Sequence, residues 1–170
     1  MKITPDTIIA IDPDLTASGI CCLNVPAKKI EVQCLNLFDL QDYLQVQRDS
    51  HIETYSGLVV VVEAGWLNKV SNYHTAASRK GQAIARKVGE NHAIGKQIVA
   101  MCKKIGIEVI EKYPLRKSWK GREGKITHKE IVSLLEGSGV RYGFRQTNQE
   151  VRDSILLALN ESGIVMRMKK

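Results

Sequence analysis

No apolar stretch in this 170-residue sequence approaches the roughly 20 residues that a bilayer-spanning helix needs, so no membrane span is expected. The opening "MKITPDT" enters a strand-like run without the apolar core and small-residue cleavage site of a secretory leader. A cytosolic protein is therefore expected. Cysteine pairs of the CxxC kind are missing. Cys21, Cys22, Cys34 and Cys102 all stand among apolar neighbours, which predicts buried thiols rather than zinc ligands or disulfides. His51, His74, His92 and His128 lack metal-ligand spacing. Repeats, low-complexity segments and linkers are absent as well. Residues 1–170 are thus read as a single domain, long enough for one substantial core.

What is present begins with charge. The chain carries a net +7, with 44% apolar and 25% charged residues, the make-up of an ordinary globular protein with a basic bias. That bias is concentrated in "KYPLRKSWKGREGKITHK", Lys112 to Lys129, where seven Lys or Arg residues face one acid, Glu123. A solvated loop would explain the segment. Its glycines and its aromatic, Trp119, favour a surface that contacts phosphates.

Hydrophobic patterning predicts the elements. Residues 7–12 form a strand, a turn follows at Asp14–Ser18, and "GICCLNV" and "KIEVQCLNL" make two more strands joined at Pro26–Lys28. Leu37, Leu40 and Leu44 lie at helical spacing. "GLVVVVEA" suits a central strand buried on both faces. A long helix is expected from about Gly81 to Lys104, with Gly81, Ala85, Gly89 and Ala93 forming a ridge that permits close packing. "IGIEVIEKY" is a further strand that Pro114 ends. Thr127 and Glu130 form a capping-box pattern before "IVSLLEG", with Gly137 or Gly139 at the C-cap. A last helix spans about Gln149 to Asn160. The order predicts an α/β domain with a mixed sheet and helices on its faces.

Two acids, Asp12 and Glu63, end apolar strands, and Glu150 and Asp153 share one face of the last helix, backed by Val151, Ile155, Leu156 and Leu159. Taken singly, each acid has an ordinary role. Asp12 could cap its turn through Thr16 or Ser18, Glu63 could be a surface acid, and Glu150 could favour a helix N-terminus. Taken together they could meet at one sheet edge. Clustered carboxylates repel one another unless cations neutralise them. Hard oxygen ligands select Mg²⁺ or Mn²⁺, and two such ions can drive phosphodiester hydrolysis.

At this point the sequence resembles the RuvC-type Holliday-junction resolvases of the RNase H-like nuclease superfamily. "IIAIDPDLTASGI" is similar to the family's first strand with its Ile-Asp-Pro-Gly turn, and "VVVVEAGW" to the strand that ends in a catalytic Glu. "GREGKITHKEIVSLL" and "EVRDSILLAL" resemble its Gly-rich loop with the following helix and its final acidic helix. The resemblance implies an RNase H-like fold with a five-stranded sheet whose first three strands are antiparallel. It implies a homodimer that nicks four-way junctions symmetrically, leaving 5′-phosphate and 3′-hydroxyl ends. Asp12, Glu63, Glu150 and Asp153 would hold two Mg²⁺ ions, with Mn²⁺ able to substitute. Lys117 matches the basic residue near the scissile phosphate, and His128 and Lys129 straddle the place of a second. Arg116, Lys117, Lys120, Arg122, Lys125 and Lys129 would contact DNA, with Trp66 or Tyr73 as the aromatic at the branch; core packing is an equal alternative for Trp66. Two positions depart from the pattern. Asp14 stands where glycine is expected, either as a turn residue or as a fifth acid tuning the site, and Glu150 replaces the usual Asp.

The expectation is a Mg²⁺-dependent crossover junction endodeoxyribonuclease, in a bacterial cytosol or a virus-infected cell. The alternatives are a broader branched-DNA or flap endonuclease of the same fold, a non-catalytic junction-binding relative, and an ATP-binding sugar-kinase or actin-type domain. The last would need two such domains and Gly-rich phosphate loops.

Overall fold

The computed structural model describes residues 5–54, 56–68 and 78–169. Its centre is β1 (Thr7–Asp12), in which strand alternation sends successive apolar side chains to opposite faces. Ile8 and Ala10 pack into one core with the C-terminal helices, and Ile9 and Ile11 into a second core beneath the other helices. Both pairs are fully buried. β2 (Ser18–Asn24) and β3 (Lys29–Leu35) extend from β1 as an antiparallel meander. β4 (Leu58–Glu63) and β5 (Glu108–Lys112) add in parallel on its other side. The sheet order β3-β2-β1-β4-β5 is the mixed five-stranded arrangement expected, with its first three strands antiparallel.

Helices cover both faces. α1 (Leu37–Thr54) and α2 (Arg79–Ile105) supply Leu40, Leu44, Ile98, Val99 and Cys102 to one core. α3 (His128–Gly137) and α4 (Gln149–Ser162) supply Ile131, Leu135, Ile155 and Leu159 to the other. No helix among the described residues is long and apolar enough to cross a membrane.

Local chemistry moves several element ends from where periodicity places them. β3 stops at Leu35 rather than running to Leu37. The reason is Asn36, whose side-chain oxygen accepts from the N–H groups of Phe38 and Asp39, each at 3.0 Å, and so starts α1. α1 continues to Thr54, well past Leu44, the last residue of the apolar pattern. α2 begins at Arg79 because Ser78 caps it. The capping box is present: Thr127 accepts from Glu130 N–H, while the Glu130 carboxylate accepts from Thr127 N–H. The C-cap of α3, however, is Ser138, not either flanking glycine. The chain near its C-terminus crosses closely over Gly137.

Two further expectations need correction. Gly89 and Ala93 are exposed and only Gly81 of the small-residue ridge is buried; α2 instead packs through Ile98 and Cys102 in the core and through Gly95 against Trp66 and Pro13. All four cysteines are free thiols, but Cys34 lies exposed on the edge strand and Cys22 is only half-buried.

Candidate active site

The register of the sheet brings the first two acids together. Ile11 pairs with Val62 in the parallel ladder, so Asp12 and Glu63 leave neighbouring strands at the same level. Asp12 also pairs with Gly19 across the antiparallel ladder. That glycine admits the third element. A Cβ built on Gly19 would lie 2.2 Å from the carbonyl carbon and oxygen of Glu150, so only a residue without a side chain lets α4 come this close. The helix thereby delivers Glu150 and Asp153 to the strand ends. Gly19→Ala should force β2 and α4 apart, at about 1–3 kcal/mol for overpacking. Thermal denaturation should show this as a lowered melting temperature relative to wild type.

Asp12, Glu63, Glu150 and Asp153 line one cleft of about 530 Å³, together with Lys117 and Lys125. Among the described residues, the Asp12, Glu63 and Glu150 carboxylates have no side-chain hydrogen bond or ion pair, although all three are half-buried. Burial, then repulsion from Glu63, Asp153 and Glu150, raises the Asp12 pKa well above its ordinary value; Lys117 offsets this only in part. Burial and Asp153 raise Glu63 likewise. Asp153 is raised by burial, against the opposing effects of a Gln149 hydrogen bond, Lys117, Lys125 and Arg152.

Such a set is unfavourable as bare anions and suits a hard divalent cation, whose charge would reverse each of these shifts. The fit is one of donor chemistry. Among the described residues, no three His, Cys, Asp or Glu side chains converge into a ready-made cage for one ion.

Asp14 lines the same cleft, but unlike Asp12, Glu63 and Glu150 its carboxylate is engaged by neighbouring groups. Its Oδ1 accepts from Thr16 N–H at 3.0 Å, closing the turn that a glycine was expected to make. Its Oδ2 turns to α2, 3.4 Å from Asn91 Nδ2 and 3.8 Å from Lys87 Nζ. Asn91 Oδ1 in turn accepts from Leu15 N–H at 3.2 Å. The turn that follows Asp12 is thus tied to α2. It is Asp14, not Asp12, that caps Thr16.

The basic segment folds into a tight loop. Trp119 N–H donates to the Gly124 carbonyl at 2.9 Å, and Gly121 N–H to the Lys125 carbonyl at 3.0 Å. Glu130 fastens this loop to α3, its Oε1 accepting from Lys120 N–H at 3.0 Å. Burial pushes the Glu130 carboxyl up, but the N–H bonds from Thr127 and Lys120 outweigh it and hold the group below its ordinary value. Lys117 and Lys125 face the acids. Arg116 lines a smaller adjoining recess with Lys117 and Trp119. Lys120, Arg122 and Lys129 are exposed and do not line the cleft. Lys112, counted in the basic run, is paired with Glu161 at 2.8 Å.

Of the two aromatic candidates, Tyr73 lies outside the described residues. Trp66 lines the cleft, but its ring packs over Gly95 and Pro13, where a Cβ on Gly95 would come within 2.3 Å of it. Its indole N–H donates to Glu111 at 3.0 Å. Held this way it belongs to the core as much as to the cleft.

No protein-family model matches the sequence, and no curated protein matches it. Among solved structures the chain is similar to T. thermophilus RuvC in complex with a Holliday junction substrate. The TM-score is 0.52 at 15% sequence identity, over 90% of each chain. A second Thermus thermophilus RuvC structure matches at TM-score 0.41 and 15% identity, over 90% of this chain and 91% of that one. The fold is RuvC-like.

Within this RuvC-like fold, the structure brings together all four predicted acids with Lys117 and Lys125. Sequence reasoning missed Gly19, Asn91, Lys87 and Gln149. Gly19 carries no signal of its own, because its role depends on a helix that arrives about 130 residues later. Lys87 and Asn91 lie four apart on α2, but only the fold puts them opposite the β1–β2 turn.

Proposed function

We propose that this chain is a divalent-metal-dependent endonuclease that cuts branched DNA, four-way junctions foremost. The observation that carries the reading is the meeting of Asp12, Glu63, Glu150 and Asp153, from two strand ends and a helix, in one cleft with Lys117 and Lys125. Its support from comparison is the likeness to a RuvC solved with a Holliday junction substrate.

The four carboxylates would hold two Mg²⁺ ions, or Mn²⁺ in their place. Such ions supply a nucleophile from water at neutral pH and offset charge on the departing 3′-oxygen. The protein's own part is to bring the four acids together in one cleft, where bound cations would favour their ionised forms. Lys117 places a positive charge beside them, where charge builds on the scissile phosphate in the transition state. Lys125 and the exposed Arg116, Lys120, Arg122 and Lys129 hold flanking phosphates and bring no base specificity. The same reading makes the protein a cytosolic homodimer, whose two-fold axis matches that of a four-way junction.

A second reading, a broader branched-DNA or flap endonuclease, gains from Trp66. Its ring is packed over Gly95 and bonded to Glu111, so this aromatic is poorly placed to pry open a branch point.

The two are separated by offering a four-way junction, a flap, a duplex and a single strand in parallel with Mg²⁺. Preferential nicking of the junction supports the first reading, and equal cutting of junction and flap the second. No cutting of any substrate would remove both. In the same assay Lys117→Ala should lower the cleavage rate about a hundredfold. It should also reduce the salt dependence of binding by about one phosphate contact.

A further inference from the structure

The hydrogen bonds at the start of α4 form a chain that ends on one of the four acids. Arg152 projects a guanidinium whose Nε donates to the Ile126 carbonyl at 2.8 Å and whose Nη1 donates to the Thr147 carbonyl. Its Nη2 donates to Gln149 Oε1 at 2.9 Å. A guanidinium has donors only, so the Gln149 atom facing it must be the amide oxygen. The amide NH₂ is then turned the other way, and it donates to Asp153 Oδ1 at 2.7 Å. The orientation of Gln149 is therefore set by Arg152, and Arg152 is itself pinned by two backbone carbonyls from separate segments. One oxygen of Asp153 is held; among the described residues the other takes no hydrogen bond, and the residue lines the cleft.

Among the described residues this is the one cleft carboxylate of the four that another side chain holds by a hydrogen bond. We propose that Gln149 is a positioning residue for metal binding: it fixes the Asp153 carboxylate so that α4 presents one oriented oxygen to a divalent cation. Partners that orient a metal-ligating carboxylate commonly change metal affinity or activity by about 10–100-fold when removed. The proposal rests on the metal-dependent reading of the cleft, and its test keeps the two apart.

The test is Mn²⁺ binding to the DNA-free protein, followed by electron paramagnetic resonance and by calorimetry. Wild type, Gln149→Ala, Gln149→Met and Asp12→Asn are compared, each with its thermal melt. Gln149→Met keeps the length of the side chain and removes both polar atoms, so it covers the case in which the alanine variant packs badly. The expected result is Mn²⁺ binding weakened about tenfold or more in both Gln149 variants, with an altered spectrum of the bound ion and metal-free melting close to wild type. Wild-type affinity and spectrum in a folded Gln149 variant would overturn the proposal alone. So would unfolding of both variants, which would make the residue a structural one. No Mn²⁺ binding by the wild type, or undiminished binding by Asp12→Asn, would overturn the metal-dependent reading and the proposal with it.

Discussion

Asp12→Asn is expected to abolish Mg²⁺-dependent nicking while leaving DNA binding intact. Asp12 stands at the midpoint of the acid set, on the strand between Glu63 and the Gly19 gap through which α4 arrives. Asparagine keeps the shape and offers one neutral oxygen. Loss of an anionic ligand at this position should lower the rate about a thousandfold or more, equivalent to roughly 4 kcal/mol of transition-state stabilisation. Binding to a four-way junction in the absence of metal should hold or tighten, because one negative charge leaves a cleft that must admit phosphate. Gel-shift and single-turnover cleavage on the same junction measure the two effects separately. Nicking at the wild-type rate would remove Asp12 from the site, and lost binding would make its role structural.

The second large effect is on stability and runs with pH. Asp12, Glu63 and Asp153 all have raised pKa values, with burial the first cause in each. A carboxyl raised in the folded state binds its proton more tightly there than in the unfolded chain. Its contribution to stability is complete below the unfolded value, near 3.8 for Asp and 4.5 for Glu, and is lost as pH rises through the folded value. The metal-free protein should therefore lose stability from this cluster as pH rises from about 4 towards neutrality. The decline should be shallower in Asp12→Asn, and the difference between the two melting curves isolates the cluster from groups such as Glu130 that shift the other way.

Mg²⁺ should reverse the loss where the acids are ionised. At a hundredfold excess over its dissociation constant the gain is about 2.7 kcal/mol. That corresponds to roughly 5–10 °C in a chain of this size. At pH values where the acids are protonated the ion should have little effect. Melting curves with and without Mg²⁺ across this range give the answer. Equal Mg²⁺ shifts at both ends, or parallel curves for wild type and Asp12→Asn, would contradict this electrostatic account.

Both effects come from residues that the amino-acid sequence alone singles out. The sheet was legible because its strands alternate or run apolar without interruption, and the two strand-end acids interrupt that pattern. The Glu150–Asp153 pair was legible from helical spacing against a buried face. Other parts depended on contacts between distant segments. Asp14 could not be placed until α2 set Asn91 and Lys87 beside it. The basic run Lys112–Lys129 read as one surface, yet the fold divides it. Lys117 and Lys125 enter the cleft, Lys112 pairs with Glu161 on α4, and Lys120, Arg122 and Lys129 remain outside. Trp66 was open between core and cleft because an aromatic after a strand suits both, and only the Gly95 notch and the Glu111 carboxylate decide its seating. Helix ends shifted for the same kind of reason, as caps at Asn36 and Ser78 override apolar periodicity.

The most direct measurement is cleavage of an end-labelled four-way junction by the wild-type protein, with Mg²⁺ and with a chelator. The account predicts Mg²⁺-dependent nicks placed symmetrically across the branch, with 5′-phosphate and 3′-hydroxyl ends that a ligase can seal. Undiminished cleavage in the chelator, or a junction bound but never cut at any Mg²⁺ or Mn²⁺ concentration, would contradict it.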